Sequence, residues 1–271
     1  MHLKRTLSLL FFAVTLSAVT ACNQHKSSAS SENQINVGTI SGPETVLMEE
    51  AKTVAAENGL QVNIVTFTDY AMPNEALSDG SIDANMFQHE PYLEQSIATN
   101  GYDIVAIGKT FVYPMGVYSS KIKQLSELKA GSIFAIPRDP SNQGRALLLL
   151  QRAGLVTLKQ GSGTDATVLD IIDNPKKLVF KELDAAQLPK VLPDVDAAAI
   201  NTNYAMLANL TPSRDAILVE HSDSPYANLV VVRKKDKDDP KFQKLLDALH
   251  SDAVMKKATA LFNGQAVPAW K

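Results

Sequence analysis

Two stretches of this chain end in the same way, and the repetition limits what the chain can fold into. Ile82-Asp83-Ala84 is followed, five residues after its aspartate, by Gln88; Val195-Asp196-Ala197 is followed at the same interval by Asn201. Each stretch closes the same order of elements: strand, glycine- or proline-marked turn, helix, strand, short helix, strand. The first unit reads as strands at 35–40, 62–67 and from Ile82, with a helix to about Asn58 closed by Gly59 and a short helix through Glu75, Ala76 and Leu77. The second reads as a strand at 133–136, a helix capped by Asp139 with Pro140 at its first position, a strand at 178–183, a short helix at 187–192 and a strand at 195–200. Strands alternating with helices predict α/β sheets, and two such units predict two lobes with a cleft between them. In open α/β sheets ligands lie beyond the carboxyl ends of the strands. The two tips are therefore candidate site segments: Phe87, Gln88, His89 and Tyr92 in one unit, Asn201 in the other.

After the second unit come one more strand, Asn228 to Val232, and two amphipathic helices with apolar positions at Phe242, Leu245, Leu246, Leu249 and at Val254, Ala258, Leu261, Phe262. A chain that crosses near Val112–Tyr118 and again near Pro225–Asn228 returns this part to the first lobe. The expected fold is α/β and two-lobed with a double crossover, lobe 1 being residues 35–112 plus 228–271 and lobe 2 residues 113–227. Local expectations follow. Ser41-Gly42-Pro43-Glu44 has capping-box spacing. Gly144 inside a helix costs about 1 kcal/mol relative to Ala, so something has to approach its backbone. Arg145, early in the same helix, stands where free N–H groups and the dipole favour an anion; the alternative is a solvated helix arginine. For Asn142 and Asn201 the alternative is a turn residue capping the next helix.

The first 21 residues read as an export signal: Lys4 and Arg5 precede an apolar run from Leu7 to about Ala21, too short for a comfortable membrane span. The run ends Val19-Thr20-Ala21-Cys22, which resembles a bacterial lipobox with Cys22 as the lipidated residue. Cys22 is the only cysteine, so no intramolecular disulfide is available and packing alone must hold the fold. Residues 22–34, rich in Ser and Gln, read as a flexible tether. Without Lys4 and Arg5 the mature chain carries 24 basic against 29 acidic residues, a net of −5. Nothing in that balance points to nucleic acid; the one basic run, Arg233-Lys234-Lys235-Asp236-Lys237, is broken by acid at a strand end.

Several longer segments, taken in order, resemble one family. Phe67-Thr68-Asp69-Tyr70 with Pro73-Asn74-Glu75-Ala76-Leu77, Ile82-Asp83-Ala84-Asn85 with Phe87-Gln88-His89 and Pro91-Tyr92-Leu93, Phe111-Val112-Tyr113-Pro114, Asp139-Pro140-Ser141-Asn142 with Gly144-Arg145, Ile200-Asn201-Thr202 and Ser224-Pro225-Tyr226-Ala227-Asn228-Leu229 look like the methionine-binding lipoproteins of bacterial ABC importers, the NlpA family. The resemblance covers about Ile35 to Trp270. It implies a type II periplasmic-binding-protein fold, a lipid-anchored place on the extracytoplasmic side of a membrane in the cell envelope, free methionine (L- and possibly D-) as ligand, and an ABC permease with its ATPase subunits as partner. No cofactor is implied. It further implies a side-chain pocket of Tyr70, Phe87, His89 and Tyr92, and polar contacts at Asn142, Arg145, Asn201 and Asn228. The chemistry agrees: a zwitterion with a thioether tail needs a charge-assisted carboxylate partner, oxygen acceptors for its ammonium and a polarizable apolar box. Of Asn201 and Asn203, the family pattern favours Asn201.

Other readings compete. Gly161-Ser162-Gly163-Thr164-Asp165-Ala166 matches the nucleotide fingerprint G-x-G-x-x-A, but no strand end precedes it and an exported lipoprotein has little access to dinucleotides. There is no G-x-S-x-G elbow. A metal-binding importer component is the second alternative, although the five histidines show no metal spacing. A binder of another small apolar amino acid is the third.

Overall fold

The computed structural model describes residues 33–221 and 224–270; the export signal and Cys22 lie outside these. In chain order the first elements are β1 (Gln34–Ile40), α1 (Pro43–Glu57), β2 (Gln61–Phe67), α2 (Met72–Asp79), β3 (Ala84–His89), α3 (Glu90–Asn100) and β4 (Ile104–Val112). Then follow β5 (Gly116–Tyr118), β6 (Ile133–Pro137), α4 (Pro140–Arg152), β7 (Thr157–Leu158), β8 (Ile171–Asp173), β9 (Val179–Leu183), β10 (Ala197–Ile200), α5 (Thr202–Leu207), α6 (Pro212–Asp215) and β11 (Leu218–Val219). Last come β12 (Ala227–Arg233), α7 (Pro240–Leu249), α8 (Asp252–Leu261) and β13 (Val267–Pro268).

The strands form two large sheets of matching plan. One runs β13-β4-β12-β3-β1-β2 and the other β11-β5-β10-β6-β9, with a two-stranded β7-β8 ribbon beside the second. In each, the first strand of the repeat (β1, β6) sits between two parallel neighbours (β2 and β3; β9 and β10), and an antiparallel strand (β12; β5) pairs with the third strand of the repeat. The repeated aspartates do the same job in both. Asp83 Oδ2 accepts from Asn36 N at 2.8 Å and Asp196 Oδ2 from Ile133 N at 2.7 Å, fastening the third strand of each unit to the start of the first.

The chain passes from the first sheet to the second between β4 and β5 and returns between β11 and β12, so α7 and α8 pack on α1 of the first half. Each half buries its own core, around Leu47, Met86, Val230 and Leu245 in one and Phe134, Ile136, Leu147 and Leu150 in the other. A third apolar cluster spans both halves, with Ile40 and Phe87 from the first against Tyr118, Ile200 and Tyr204 from the second. The two halves are closed on each other.

Two local expectations change and a third, at Gly144, holds. The tether reading to residue 34 is too long: Gln34 is already in β1 and the Asn33 carbonyl accepts from Gln61 N at 2.8 Å. The capping box does not form, because Gly42 rather than Ser41 is the N-cap of α1, at φ 122, with no side-chain cap bond, and the Glu44 side chain turns inward. Gly144 is closely approached, though by protein: a Cβ there would overlap the Thr164 carbonyl oxygen. The glycine-rich segment at 161–166 is thus the loop that lies on α4.

Candidate functional site

The repeat places four strand ends at one cleft, as expected for α/β units whose sites lie past the carboxyl edge. β1 leads through Gly42 into Glu44, β3 ends at His89, β6 leads through Asp139 into Asn142 and Arg145, and β10 ends at Asn201. All eight residues that the family resemblance implies line one cavity: Tyr70, Phe87, His89, Tyr92, Asn142, Arg145, Asn201 and Asn228. Glu44, Tyr113 and Asn203 line it as well. Gln88 reaches the wall, but its amide is used up within the first half, exchanging bonds with Asn74 and donating to Asn85 Oδ1 at 3.0 Å.

His89 crosses the cleft. Its Nδ1 accepts from the Tyr92 backbone N–H at 3.3 Å, so the proton sits on Nε2, which donates to Asn142 Oδ1 at 3.2 Å. Burial first, and the nearby Arg145 charge second, push its pKa down from 6.5 to about 3. It is a neutral hydrogen-bonding group. Asn142 is held by the α4 N-cap: its backbone N and Nδ2 both donate to Asp139 Oδ1, at 3.0 and 2.7 Å. Its Oδ1 also accepts from Asn201 Nδ2 at 2.7 Å. Asn201 is itself the N-cap of α5 but makes no capping bond, so its Oδ1 is left buried without a partner.

Arg145 is less free than its sequence position implies. Its Nε donates to both carboxylate oxygens of Glu220 at 3.1 Å, its Nη2 donates to Glu220 Oε2 and the Tyr113 carbonyl, and its Cζ lies 4.5 Å from the centre of the Tyr226 ring. Among the described residues no acceptor is bonded to Nη1. Nothing in the sequence around Glu220 marks a site. Glu44, whose spacing from Ser41 fits a capping box, is instead a buried carboxyl: Oε1 accepts from Asn228 Nδ2 at 2.7 Å and Oε2 has no partner. Desolvation raises its pKa well above the usual carboxylate range, against a smaller opposite effect of the Asn228 bond.

The opposite side of the cavity is aromatic. The Tyr70 ring lies 5.9 Å from Phe87, 5.9 Å from Tyr92 and 5.0 Å from Tyr204 between centroids, and its hydroxyl donates across the cleft to Asn203 Oδ1 at 2.7 Å. The cavity therefore offers buried acceptors at Asn201 and Glu44, a guanidinium N–H at Arg145, and an aromatic box beside them.

Two α/β halves joined by two crossings, with a polar cavity at the facing strand ends, define a type II periplasmic-binding-protein fold. The NlpA lipoprotein family matches residues 35–270, and the chain belongs to that family. It is 52% identical over 256 residues, 93% of each chain, to the D-methionine-binding lipoprotein MetQ of Salmonella typhimurium. Among solved structures it is similar to an ABC transporter periplasmic substrate-binding protein from Coxiella burnetii, at 60% identity and a TM-score of 0.84, covering 87% of this chain and 100% of that one. It is likewise similar to a nutrient binding protein from Burkholderia cenocepacia bound to methionine, at 52% identity and a TM-score of 0.85, covering 87% and 99%.

Proposed function

We propose that this chain is an extracytoplasmic solute-binding lipoprotein that captures free methionine between its lobes and delivers it to an ABC permease and its ATPase subunits. The observation that carries the reading is the pairing of unpartnered acceptors, Asn201 Oδ1 and Glu44 Oε2, with the Arg145 guanidinium on one side of the cavity and the rings of Tyr70, Phe87 and Tyr92 on the other. A zwitterion with a polarizable apolar tail satisfies both halves at once, sulfur against aromatic edges contributing roughly 0.3–1.5 kcal/mol per contact. In this reading Arg145 Nη1 meets the ligand carboxylate, Glu44 and Asn201 accept from its ammonium, Asn142 and Asn228 orient these groups, and Tyr70, Phe87, His89 and Tyr92 hold the tail. The relatives named for methionine binding support the choice of ligand.

The lobes are residues 35–112 with 228–271, and 113–227, a division supported by sheet membership. Lipid on Cys22 anchors the protein to a membrane on the extracytoplasmic side. Mass spectrometry of the small molecule that co-purifies with the protein, followed by calorimetry with L-methionine, D-methionine and leucine, tests the reading. Methionine as the bound species and the tightest ligand is the expected result. A bound metal ion, or leucine binding as tightly as methionine, would replace it with one of the competing readings.

A further inference from the structure

Asp139 stands at the head of a line of amides that ends in the cavity. Its Oδ1 accepts from the backbone N of Asn142 at 3.0 Å, as an N-cap does, and also from Nδ2 of the Asn142 side chain at 2.7 Å. Asn142 Oδ1 is thereby turned the other way, where it accepts from Asn201 Nδ2 at 2.7 Å and from His89 Nε2 at 3.2 Å. With Nδ2 of Asn201 spent on Asn142, Oδ1 of Asn201 is the atom left buried without a partner. Asp139 is no part of the cavity wall itself. It lies behind Asn142, on an outer groove shared with Arg138 and Asp184.

An asparagine amide presents an acceptor at one end and donors at the other. Turning Asn142 over would therefore turn Asn201 over with it and put N–H groups where a ligand ammonium needs an oxygen. Two contacts resist this, and they are unequal. The His89 proton is kept on Nε2 by one bond of 3.3 Å from the Tyr92 backbone N, so a change of tautomer costs only that long contact. The Asp139 carboxylate has no donor to offer, and hydrogen bonds to an ionised acceptor are roughly twice as strong as those between neutral groups. Asp139 is the stronger anchor.

We propose that Asp139 is a positioning residue for ammonium recognition: through Asn142 it sets which end of the Asn201 amide faces the ligand. The proposal rests on the methionine reading above. Asp139 then has two separable tasks. Starting α4 is one, and any good N-cap residue performs it. Orienting the Asn142 amide is the other, and it needs an acceptor that reaches Nδ2. Serine and threonine perform the first task only, their single hydroxyl being spent on the backbone N–H. Asparagine performs both, because that same N–H keeps its side-chain oxygen turned toward Asn142.

The test is calorimetry on the full mature chain with L-methionine and with its α-hydroxy analogue, in which a hydroxyl able to donate or accept replaces the ammonium. The proteins compared are wild type, Asp139→Ser, Asp139→Thr and Asp139→Asn. The wild type is expected to favour methionine over the analogue at least about tenfold. Asp139→Ser and Asp139→Thr are expected to reduce that preference about tenfold, with denaturant midpoints near that of the wild type because the cap is kept. Asp139→Asn is expected to retain the preference to within about threefold. If the serine and threonine variants weaken both ligands alike, or neither, Asp139 is a helix cap alone and the proposal is overturned. Loss of the preference in Asp139→Asn as well overturns it too, since the charge and not the placed acceptor then matters. A wild type that binds methionine without discriminating against the analogue overturns this proposal alone. One that does not bind methionine overturns the methionine reading, and this proposal with it.

Discussion

Asn228 donates from Nδ2 to Oε1 of Glu44 at 2.7 Å, tying β12 to the first turn of α1 and leaving the second oxygen of Glu44 buried without a partner. Desolvation holds that carboxyl in its neutral form well above the usual carboxylate range. A ligand ammonium beside it favours the ionised form, so binding releases a proton. By linkage, affinity rises with pH below the Glu44 pKa of the free protein and levels off above it. Calorimetry in two buffers of different ionisation enthalpy is expected to show this release. Glu44→Gln should abolish the proton release and weaken methionine about tenfold; a release that persists in Glu44→Gln assigns the proton elsewhere.

Arg145 and Glu220 form a buried ion pair, with side chains 4% and 6% exposed, that also binds both crossings between the sheets. Arg145 donates to the Tyr113 carbonyl, and Glu220 accepts from Met115 N at 3.1 Å and from Ser224 Oγ at 3.1 Å. Arg145→Ala leaves a buried carboxylate uncompensated, and truncating one partner of such a pair costs about 3–5 kcal/mol. Denaturant unfolding of Arg145→Met, Glu220→Gln and the double variant should show the double variant destabilised by clearly less than the sum of the singles. Additive costs would mean that the two side chains are not coupled. Ligand affinity in Arg145 variants has to be read against this loss.

Gly144 sits in α4 against the Thr164 carbonyl of the loop at 161–166. Alanine is the better helix former by about 1 kcal/mol, yet its Cβ has no room and has to displace backbone. Overpacking of this kind costs about 1–3 kcal/mol. Gly144→Ala is therefore expected to lower the unfolding midpoint, and a raised midpoint would show that the loop yields freely.

The repeat carried most of the fold into view from sequence. Asp83 and Asp196 mark equivalent strands, and the segments after β3, β6 and β10 were legible as site segments because strand ends in such units face the cleft. The same logic applied to the end of β1 leads to Glu44. It was hidden because Ser41-Gly42-Pro43-Glu44 makes local sense as a cap, whereas its real partner, Asn228, is 184 residues away. Gln88 shows the opposite failure. It occupies the position equivalent to Asn201, but Asn74 and Asn85 claim its amide, and only packing brings those three together. The two- and three-residue strands β5, β7, β8, β11 and β13 are too short for periodicity and exist through pairing alone.

His89 makes the fold sensitive to acid. Burial and Arg145 hold its pKa at about 3, against 6.5 ordinarily. Between these values the unfolded chain binds a proton that the folded chain does not, so stability falls as pH drops from about 6.5 toward 3, at up to about 1.4 kcal/mol per pH unit. Glu44 and Asp139 act in the opposite sense. Burial raises both, so each contributes stability that falls as pH rises above the ordinary carboxylate range. Comparing wild type with His89→Gln separates the two effects, since both proteins keep the carboxyls. Urea unfolding at steps from pH 7 to pH 4 should show the wild type losing stability relative to His89→Gln as pH falls below about 6.5. Parallel profiles would mean that His89 takes up its proton in the folded state, with the contacts to Tyr92 N and Asn142 rearranged.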